Sequence, residues 1–362
     1  MRDQALNILV VDDSLVFCRF LTSVIPTLNP RFHVMGYALN TTLALQAIRR
    51  QRPDIITMDV EMPGENGIDF LKRLLPEYPI PVILVSSLNM NVLEALSCGA
   101  VDFLRKPDMS APNSRENFTR QLLTKLLIAS RAHVRCPFAI PPAGSKMETE
   151  GKTGRTSPFS AWQLPDASPF LDRTIIAIGA STGGTEATLE VLRRLPANTP
   201  GIVVTQHMPE GFTAMYAQRL DRLCQMKVKE AVNGDRIRRG QVLIAPGNQQ
   251  MRVVRVGNTY TVSCFAGQKV NGHRPSVDVL FDSMASSAAS DGIGIILTGM
   301  GSDGAKGLLK MRQAGAYTIG QDKASCVVYG MPMVANDIGA VAIQASCSNI
   351  PNVLLNFLKK NA

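Results

Sequence analysis

The chain has 362 residues, 45% hydrophobic and 19% charged, with a net charge of +9. That length exceeds one ordinary core, and the composition is that of an ordinary soluble protein with two domains and a linker. No apolar run reaches the ~18–20 residues of a membrane span, and the N-terminus lacks the charged-then-apolar layout of a secretory signal.

Residues 6–106 read as five strand-helix units. The strands are NILVVDD (7–13), HVMGYAL (33–39), IITMDV (55–60), PVILVSS (81–87) and VDFLRK (101–106). Helical patterns such as LVFCRFLTSVI and TLALQAIRR fall between them, and a further helix is expected over about 115–131. This is the outline of a doubly wound, flavodoxin-like (βα)5 domain.

Three carboxylates fall at strand ends in this part: Asp12 and Asp13 after the first, Asp59 after the third. Brought to one sheet edge they would repel unless a cation neutralised them. Hard oxygen ligands with room for water suit Mg²⁺. A carboxylate beside Mg²⁺ can attack a phosphoryl group in line, with metal and lysine stabilising the phosphoryl oxygens. Lys106, before Pro107, supplies the lysine. Ser86 offers a hydroxyl to the new phosphoryl group, and Phe103 is the aromatic whose position would follow that hydroxyl. Taken one at a time, acidic residues at strand ends often only cap helices.

Residues 131–171 change character. They are rich in Pro, Gly, Ser and Thr without sustained periodicity, and read as a mobile linker. The sole tryptophan, Trp162, lies there as an incidental residue or a docking contact. The seven cysteines are scattered along the chain without a CxxC pair. They read as reduced packing residues of a cytosolic protein.

From 172 to 362 the α/β pattern resumes. TIIAIG (174–179), GIVVTQ (201–206) and GIGIILT (292–298) are apolar without alternation, as buried parallel strands are. Between 227 and 265, VKEAV, QVLIAP, MRVVRV and TYTVSCFA are separated by Asn-Gly, Pro-Gly and Gly-Asn turns, which suggests an antiparallel hairpin region on a doubly wound, mainly parallel core. A helix fits SVDVLFDSMASSAAS (276–290), and another (351–360) closes the domain. The positive charge concentrates here, +7 against +1 for residues 1–132. It suits plain solubility or attraction to an acidic macromolecule. Nucleic acid is disfavoured, since there is no helix-turn-helix, zinc-finger spacing or aromatic-basic stacking motif.

Ser181, His207 and Asp303 each follow one of those three strands. In a doubly wound sheet the strands' carboxyl ends form one crevice. A hydroxyl, an imidazole and a carboxylate there are the parts of a nucleophile system. Ser181 lies in IGASTGGTEA, where small residues permit a tight turn and a helix starting near Thr185 aims its N–H groups at a developing oxyanion. The G-x-S-x-G match invites an α/β-hydrolase reading, but chain order opposes it: that fold places its acid before the histidine. His33, His133 and His273 are the rival bases, with His273 in NGHRPSVDVLF the serious one. Asp303, in LTGMGSDGAKG, would fix the imidazole tautomer or merely cap the next helix. Met300 in the same turn offers a backbone N–H to the oxyanion.

The motifs VVDDS (10–14), MDVEMPGENG (58–67), VSS (85–87) and FLRKP (103–107) resemble the bacterial response-regulator receiver domain over roughly residues 5–130. That resemblance implies phosphorylation of Asp59 by a histidine kinase, Mg²⁺ held by Asp12, Asp13 and Asp59, and Ser86, Phe103 and Lys106 as switch residues. IGASTGGTEA, QHMPEGF, GHRPSVDVLF and LTGMGSDGAKG together resemble the chemotaxis protein-glutamate methylesterase family of the CheB type, with residues 172–362 as the catalytic domain. It implies Ser181 as nucleophile, His207 as base and Asp303 as orienter, with Thr182, Met300 and Arg274 on the oxyanion and substrate side. The implied substrates are γ-glutamyl methyl esters, and some glutamines, on the cytoplasmic helices of chemoreceptors. The implied esterase reaction calls for no cofactor and no membrane insertion. The linker is long for that family. Two other classes stay in view: a non-catalytic adaptor binding a receptor or kinase, and a nucleic-acid-binding regulator suggested by charge alone.

Overall fold

The computed structural model describes residues 5–86, 91–108, 111, 113–134 and 163–362. Most of the 131–171 linker, Trp162 and Cys136 lie outside the described residues. The chain divides into two compact units, Met1–Met147 and Glu148–Ala362.

In the first unit the elements are β1 (Leu6–Val11), α1 (Leu15–Leu28), β2 (Phe32–Ala38), α2 (Thr41–Arg50), β3 (Ile55–Met58), α3 (Gly67–Glu77), β4 (Val82–Ser86), α4 (Asn91–Ser97), β5 (Asp102–Arg105) and α5 (Ser114–Ala129). The sheet is parallel in the order β2-β1-β3-β4-β5. The order reverses between β1 and β3, so a crevice opens beyond their carboxyl ends. Strand side chains alternate between faces. Ile8, Val10, Ile83, Val85 and Leu104 therefore pack on Cys18, Leu21 and Ile25 of α1 and Phe118, Leu122 and Leu126 of α5. Side chains start the helices here: Ser14, Asn40 and Asn66 accept from the backbone N–H three residues on, which satisfies one orphan donor each.

The second unit runs α6 (Pro169–Arg173), β6 (Ile175–Ala180), α7 (Gly184–Leu192), β7 (Gly201–Gln206), α8 (Phe212–Leu223), β8 (Lys227–Glu230), β9 (Gln241–Ile244), β10 (Gln250–Val256) and β11 (Thr259–Phe265). It continues through α9 (Val277–Ser287), β12 (Gly292–Ile296), α10 (Ala305–Gln313), β13 (Tyr317–Gln321), α11 (Met331–Asp337), β14 (Ile343–Ala345) and α12 (Ile350–Asn361). Seven parallel strands take the order β14-β13-β12-β6-β7-β9-β8. β6, β7 and β12 are buried at every residue, as their unbroken apolar runs require.

The hairpin region is smaller than the turn signals suggest. Only β10 and β11 pair antiparallel, as a separate two-stranded sheet. β8 and β9 join the main sheet parallel to each other and to β7. The physical reason lies in their side chains. Val242, Leu243 and Ile244 are all fully buried, an internal-strand pattern, whereas β11 alternates buried and half-buried along its length. α9 covers the β10 edge: Ser283 Oγ accepts from Val253 N at 2.9 Å, and Ser287 Oγ donates to Val253 O at 3.1 Å.

The helices after β6 and β12 begin without a capping side chain. Gly183 (φ +74°) and Gly304 (φ +88°) open α7 and α10 in the left-handed region, which glycine adopts without steric cost. Neighbouring side chains pack closely on both: a Cβ on Gly183 would lie 2.7 Å from Val327 Cβ, and one on Gly304 2.4 Å from Val277 Cγ1. Gly179, inside β6, serves packing as well. A Cβ there would lie 2.2 Å from Cγ1 of Val277 at the start of α9. Gly179→Ala is expected to destabilise the second unit by about 1–3 kcal/mol, at roughly 2–4 °C per kcal/mol for a domain of this size. An unchanged melting temperature for the full chain's corresponding transition would show that α9 yields freely.

Among the described residues all cysteines are free thiols. Burial pushes Cys18, Cys224 and Cys264 up to about 11, so they remain protonated and unreactive at neutral pH. No helix among the described residues is long and apolar enough to cross a membrane.

Candidate functional site

Two clusters of chemistry-bearing side chains stand at the carboxyl ends of the two sheets. In the first unit, ligand oxygens of Asp12, Asp13 and Asp59 lie within 4.8 Å of one another. Lys106 Nζ is 2.7 Å from Asp12 Oδ2 and 2.6 Å from Asp59 Oδ2. Asp12 Oδ1 also accepts from Ser14 N at 2.9 Å, and Asp59 Oδ1 from Glu61 N at 3.2 Å. Burial pushes the Asp12 carboxyl above its ordinary value, against the pull of Lys106. Burial alone would lower the Lys106 ammonium, but its pairs with Asp12 and Asp59 hold it above its ordinary value. An all-oxygen donor set of this charge fits a hard divalent cation.

Ser86 ends β4, and its buried Oγ has no hydrogen-bond partner among the described residues. Its carbonyl accepts from Lys106 N at 2.9 Å, so the hydroxyl and the lysine share one backbone link. Phe103 is 7% exposed on β5, opposite Leu84. Asp12, Asp13, Asp59 and Lys106 thus meet at this end, with Ser86 closing β4; Ser87 lies outside the described residues.

In the second unit β6 lies between β12 and β7. Ser181 follows β6 and His207 follows β7, with Ala180 and Gln206 paired in register just before them. His207 N donates to Ala180 O at 3.1 Å, and Ser181 N to Thr298 O at 3.0 Å. The Ser181 turn is therefore pinned on both sides. Gln206 adds a brace, its Nε2 donating to Ser181 O at 2.8 Å and to His207 O at 3.4 Å.

His207 Nε2 lies 2.8 Å from Asp303 Oδ2. Asp303 is 2% exposed and accepts four further hydrogen bonds. Oδ2 takes Val277 N at 2.7 Å, and Oδ1 takes Asn271 Nδ2 at 2.8 Å, Ser276 Oγ at 2.8 Å and Asp278 N at 3.2 Å. Burial acts to raise its pKa. The hydrogen bonds from His207, Asn271 and Ser276 outweigh it and hold the carboxyl well below the usual carboxylate range. It is thus a carboxylate throughout the working pH range, and it fixes the Nε2–H tautomer of His207. The other ring nitrogen, Nδ1, is buried without a hydrogen-bond partner among the described residues, and in this tautomer it carries the lone pair.

The turn after β12 closes the site. A Cβ on Gly299 would sit 2.6 Å from Ser181 Cβ, so the 299–300 backbone abuts the serine. Gly299 N is used by Val328 O at 3.0 Å. Thr298 Oγ1 donates to Thr182 O at 3.0 Å, tying the two turns that carry Thr182 and Met300.

His273, the rival base, lies against His207 rather than apart from it. Its ring stacks on His207 at 3.6 Å between centroids and 7° between planes. His33 and His133 are exposed in the first unit. Arg274 commits its guanidinium to Gly267 O, at 2.6 Å from Nη1, and to Asn248 Oδ1, at 3.1 Å from Nε. Asn271, Ser276 and Gln206 are supports that sequence reasoning missed. Asn271 announces itself only as an Asn-Gly turn, and Ser276 reads as a helix cap, yet its hydroxyl goes to Asp303.

Comparison with known proteins finds a family match over each unit. The response regulator receiver domain family matches residues 8–111, and the CheB methylesterase family matches residues 176–354. The chain is 46% identical to the protein-glutamate methylesterase/protein-glutamine glutaminase 2 of Syntrophomonas wolfei subsp. wolfei, covering 99% of this chain and 100% of that one. It is 43% identical to the protein-glutamate methylesterase/protein-glutamine glutaminase of Chromohalobacter salexigens, covering 98% and 97%. Among solved structures, the Thermotoga maritima CheB methylesterase catalytic domain is 38% identical, with a TM-score of 0.50 over 51% of this chain and 98% of that one.

Proposed function

The chain belongs to the CheB methylesterase family and carries a response regulator receiver domain, and on that premise we propose how its residues do the work. It is a protein-glutamate methylesterase and protein-glutamine glutaminase. Residues 5–130 form the receiver, 131–171 the linker and 172–362 the catalytic domain. The substrates are γ-glutamyl methyl esters and glutamine amides on chemoreceptors, met in the cytoplasm, and a histidine kinase phosphorylates Asp59.

Ser181 Oγ attacks the side-chain carbonyl while His207 Nδ1 takes its proton. The oxyanion is met by backbone N–H groups of Met300 and Thr182, placed before the reaction rather than recruited during it. His207, now imidazolium, is held by Asp303 and returns the proton to the leaving group, which departs as methanol from an ester or ammonia from an amide. Water, deprotonated by His207, then cleaves the glutamyl-serine ester and frees a glutamate. An ester and an amide pass through the same tetrahedral geometry, so one site serves both. Arg274 sits on the substrate side, and its ties to Asn248 and Gly267 give it a structural share in shaping that wall. The observation that carries this reading is the asymmetry of His207: one nitrogen fixed on Asp303, the other buried and without a partner among the described residues, at the end of the strand next to the one Ser181 follows.

In the receiver, Asp12, Asp13 and Asp59 would hold Mg²⁺, which would neutralise charge on the phosphoryl oxygens. Asp59 accepts the phosphoryl group, Lys106 faces it, and Ser86 with Phe103 responds to it. Phosphorylation shifts the population toward an active state.

The test is methanol release from methylated chemoreceptor membranes by the full chain. Phosphodonor with Mg²⁺ is expected to raise the wild-type rate by roughly 5–150-fold, the usual range of coupling between two sites. Asp59→Asn is expected to give the same rate with and without phosphodonor. An Asp59→Asn chain that responds like wild type would remove Asp59 as the phosphoacceptor. Absence of release from several receptors, with phosphodonor present, would leave the adaptor reading in its place.

A further inference from the structure

We infer that Asn271 is a positioning residue, one that keeps Asp303 charged by standing between it and a second buried carboxylate, Asp278. The inference rests on the catalytic roles proposed for Ser181, His207 and Asp303.

The geometry starts from a two-residue turn. Val270 and His273 exchange backbone hydrogen bonds at 3.0 and 2.9 Å, and Asn271 (φ +53°) and Gly272 (φ +83°) between them are both left-handed. Asn-Gly is the pair such a turn favours. Its consequence is directional: the Asn271 carboxamide is turned toward the start of α9. Asn271 Nδ2 donates to Asp303 Oδ1 at 2.8 Å and to Asp278 Oδ2 at 2.7 Å. The two hydrogens of one NH₂ group thus serve two carboxylates on different elements.

Asp278 is 7% exposed, and its other oxygen accepts from Gly307 N at 2.7 Å. Two buried like charges at such range favour uptake of a shared proton. Burial, then the nearby Asp303 charge, already push Asp278 above its ordinary value. Without the amide between them the pair would take up a proton. Wherever it rested on Asp303, His207 would lose the full carboxylate that holds its tautomer and stabilises its charged form.

The turn does not need the carboxamide for its own shape, because glycine adopts the left-handed region freely. Asn271→Gly therefore removes the donor and leaves the turn. The readout is the rate at which a fluorophosphonate labels the full-length chain: the Ser181 O–P bond forms, fluoride leaves, and the hydroxyl proton passes to His207. This measures nucleophile activation without a receptor. Asn271→Gly is expected to label about tenfold more slowly or worse, as when a hydrogen bond to a charged group is lost. Adding Asp278→Asn to it is expected to restore most of the rate, since it removes the rival charge and offers Asp303 a new amide donor. A role confined to holding the turn would not be rescued by a change on α9.

Thermal melting accompanies each variant. If the glycine variant does not fold, Asn271→Asp tolerates the same turn and exchanges the donor for a third carboxylate, with labelling expected slower still. Wild-type labelling in a folded Asn271 variant, or no recovery in the double variant, overturns the inference. Wild type labelled no faster than Ser181→Ala would instead overturn the catalytic reading beneath it.

Discussion

Ser181→Ala is expected to reduce methanol release by on the order of 10⁴–10⁶-fold, the loss seen when a hydrolase of this kind is deprived of its nucleophile. The remainder would come from the oxyanion donors and from substrate binding, neither of which the hydroxyl supplies. The loss should fall on kcat, with KM almost unmoved. Stability should be untouched as well. The position is held by its backbone, through Ser181 N to Thr298 O and Ser181 O from Gln206. An inactive chain that also melts early would mean that the site had collapsed rather than lost its nucleophile. Equal release by variant and wild type would place the nucleophile elsewhere.

Asp303→Asn should be nearly as damaging, about 10⁴-fold in kcat, by a different route. Both oxygens of Asp303 face donors only. Oδ2 meets His207 Nε2 and Val277 N, while Oδ1 meets Asn271 Nδ2, Ser276 Oγ and Asp278 N. An amide NH₂ put in either place confronts an N–H. On the Oδ2 side it forces His207 to carry its proton on Nδ1, where it can no longer accept from Ser181. On the Oδ1 side it opposes the Asn271 amide and the first turn of α9. The variant should therefore lose stability too, by about 1–3 kcal/mol for buried groups left unpaired. Asp303→Asn with wild-type kcat would show that the carboxylate is only a helix-end ligand.

Much of this was legible before any coordinates. Ser181, His207 and Asp303 follow apolar runs that could only be buried parallel strands, and the topology of such a sheet delivers their ends to one edge. Asp12, Asp59 and Lys106 follow from the same logic. Strand direction was less legible. VKEAV and QVLIAP look like hairpin strands because Asn-Gly and Pro-Gly turns adjoin them, yet partners are chosen by register across the sheet, and Val242–Ile244 is buried like an internal strand. Nor does a sequence say which imidazole nitrogen meets the carboxylate, or that His273 lies flat on His207. Such facts are set by side-chain orientation among residues far apart in the chain. Ser276 illustrates the difficulty: a serine before a helix reads as a cap, and only packing turns its hydroxyl to Asp303.

The unpartnered atoms have a consequence for how this protein can be improved or worn down by selection. Ser86 Oγ and His207 Nδ1 are buried polar atoms left without a hydrogen bond among the described residues, each at a cost of roughly 1–3 kcal/mol. A folded chain of ordinary margin holds only about 5–15 kcal/mol in all. A search for hardier variants scored on melting temperature alone would find Ser86 attractive, since an apolar replacement there relieves the deficit, whereas one at His207 would also strip the buried Asp303 of its imidazole partner. The variants it kept would be the sturdiest and the least able to answer a phosphoryl group.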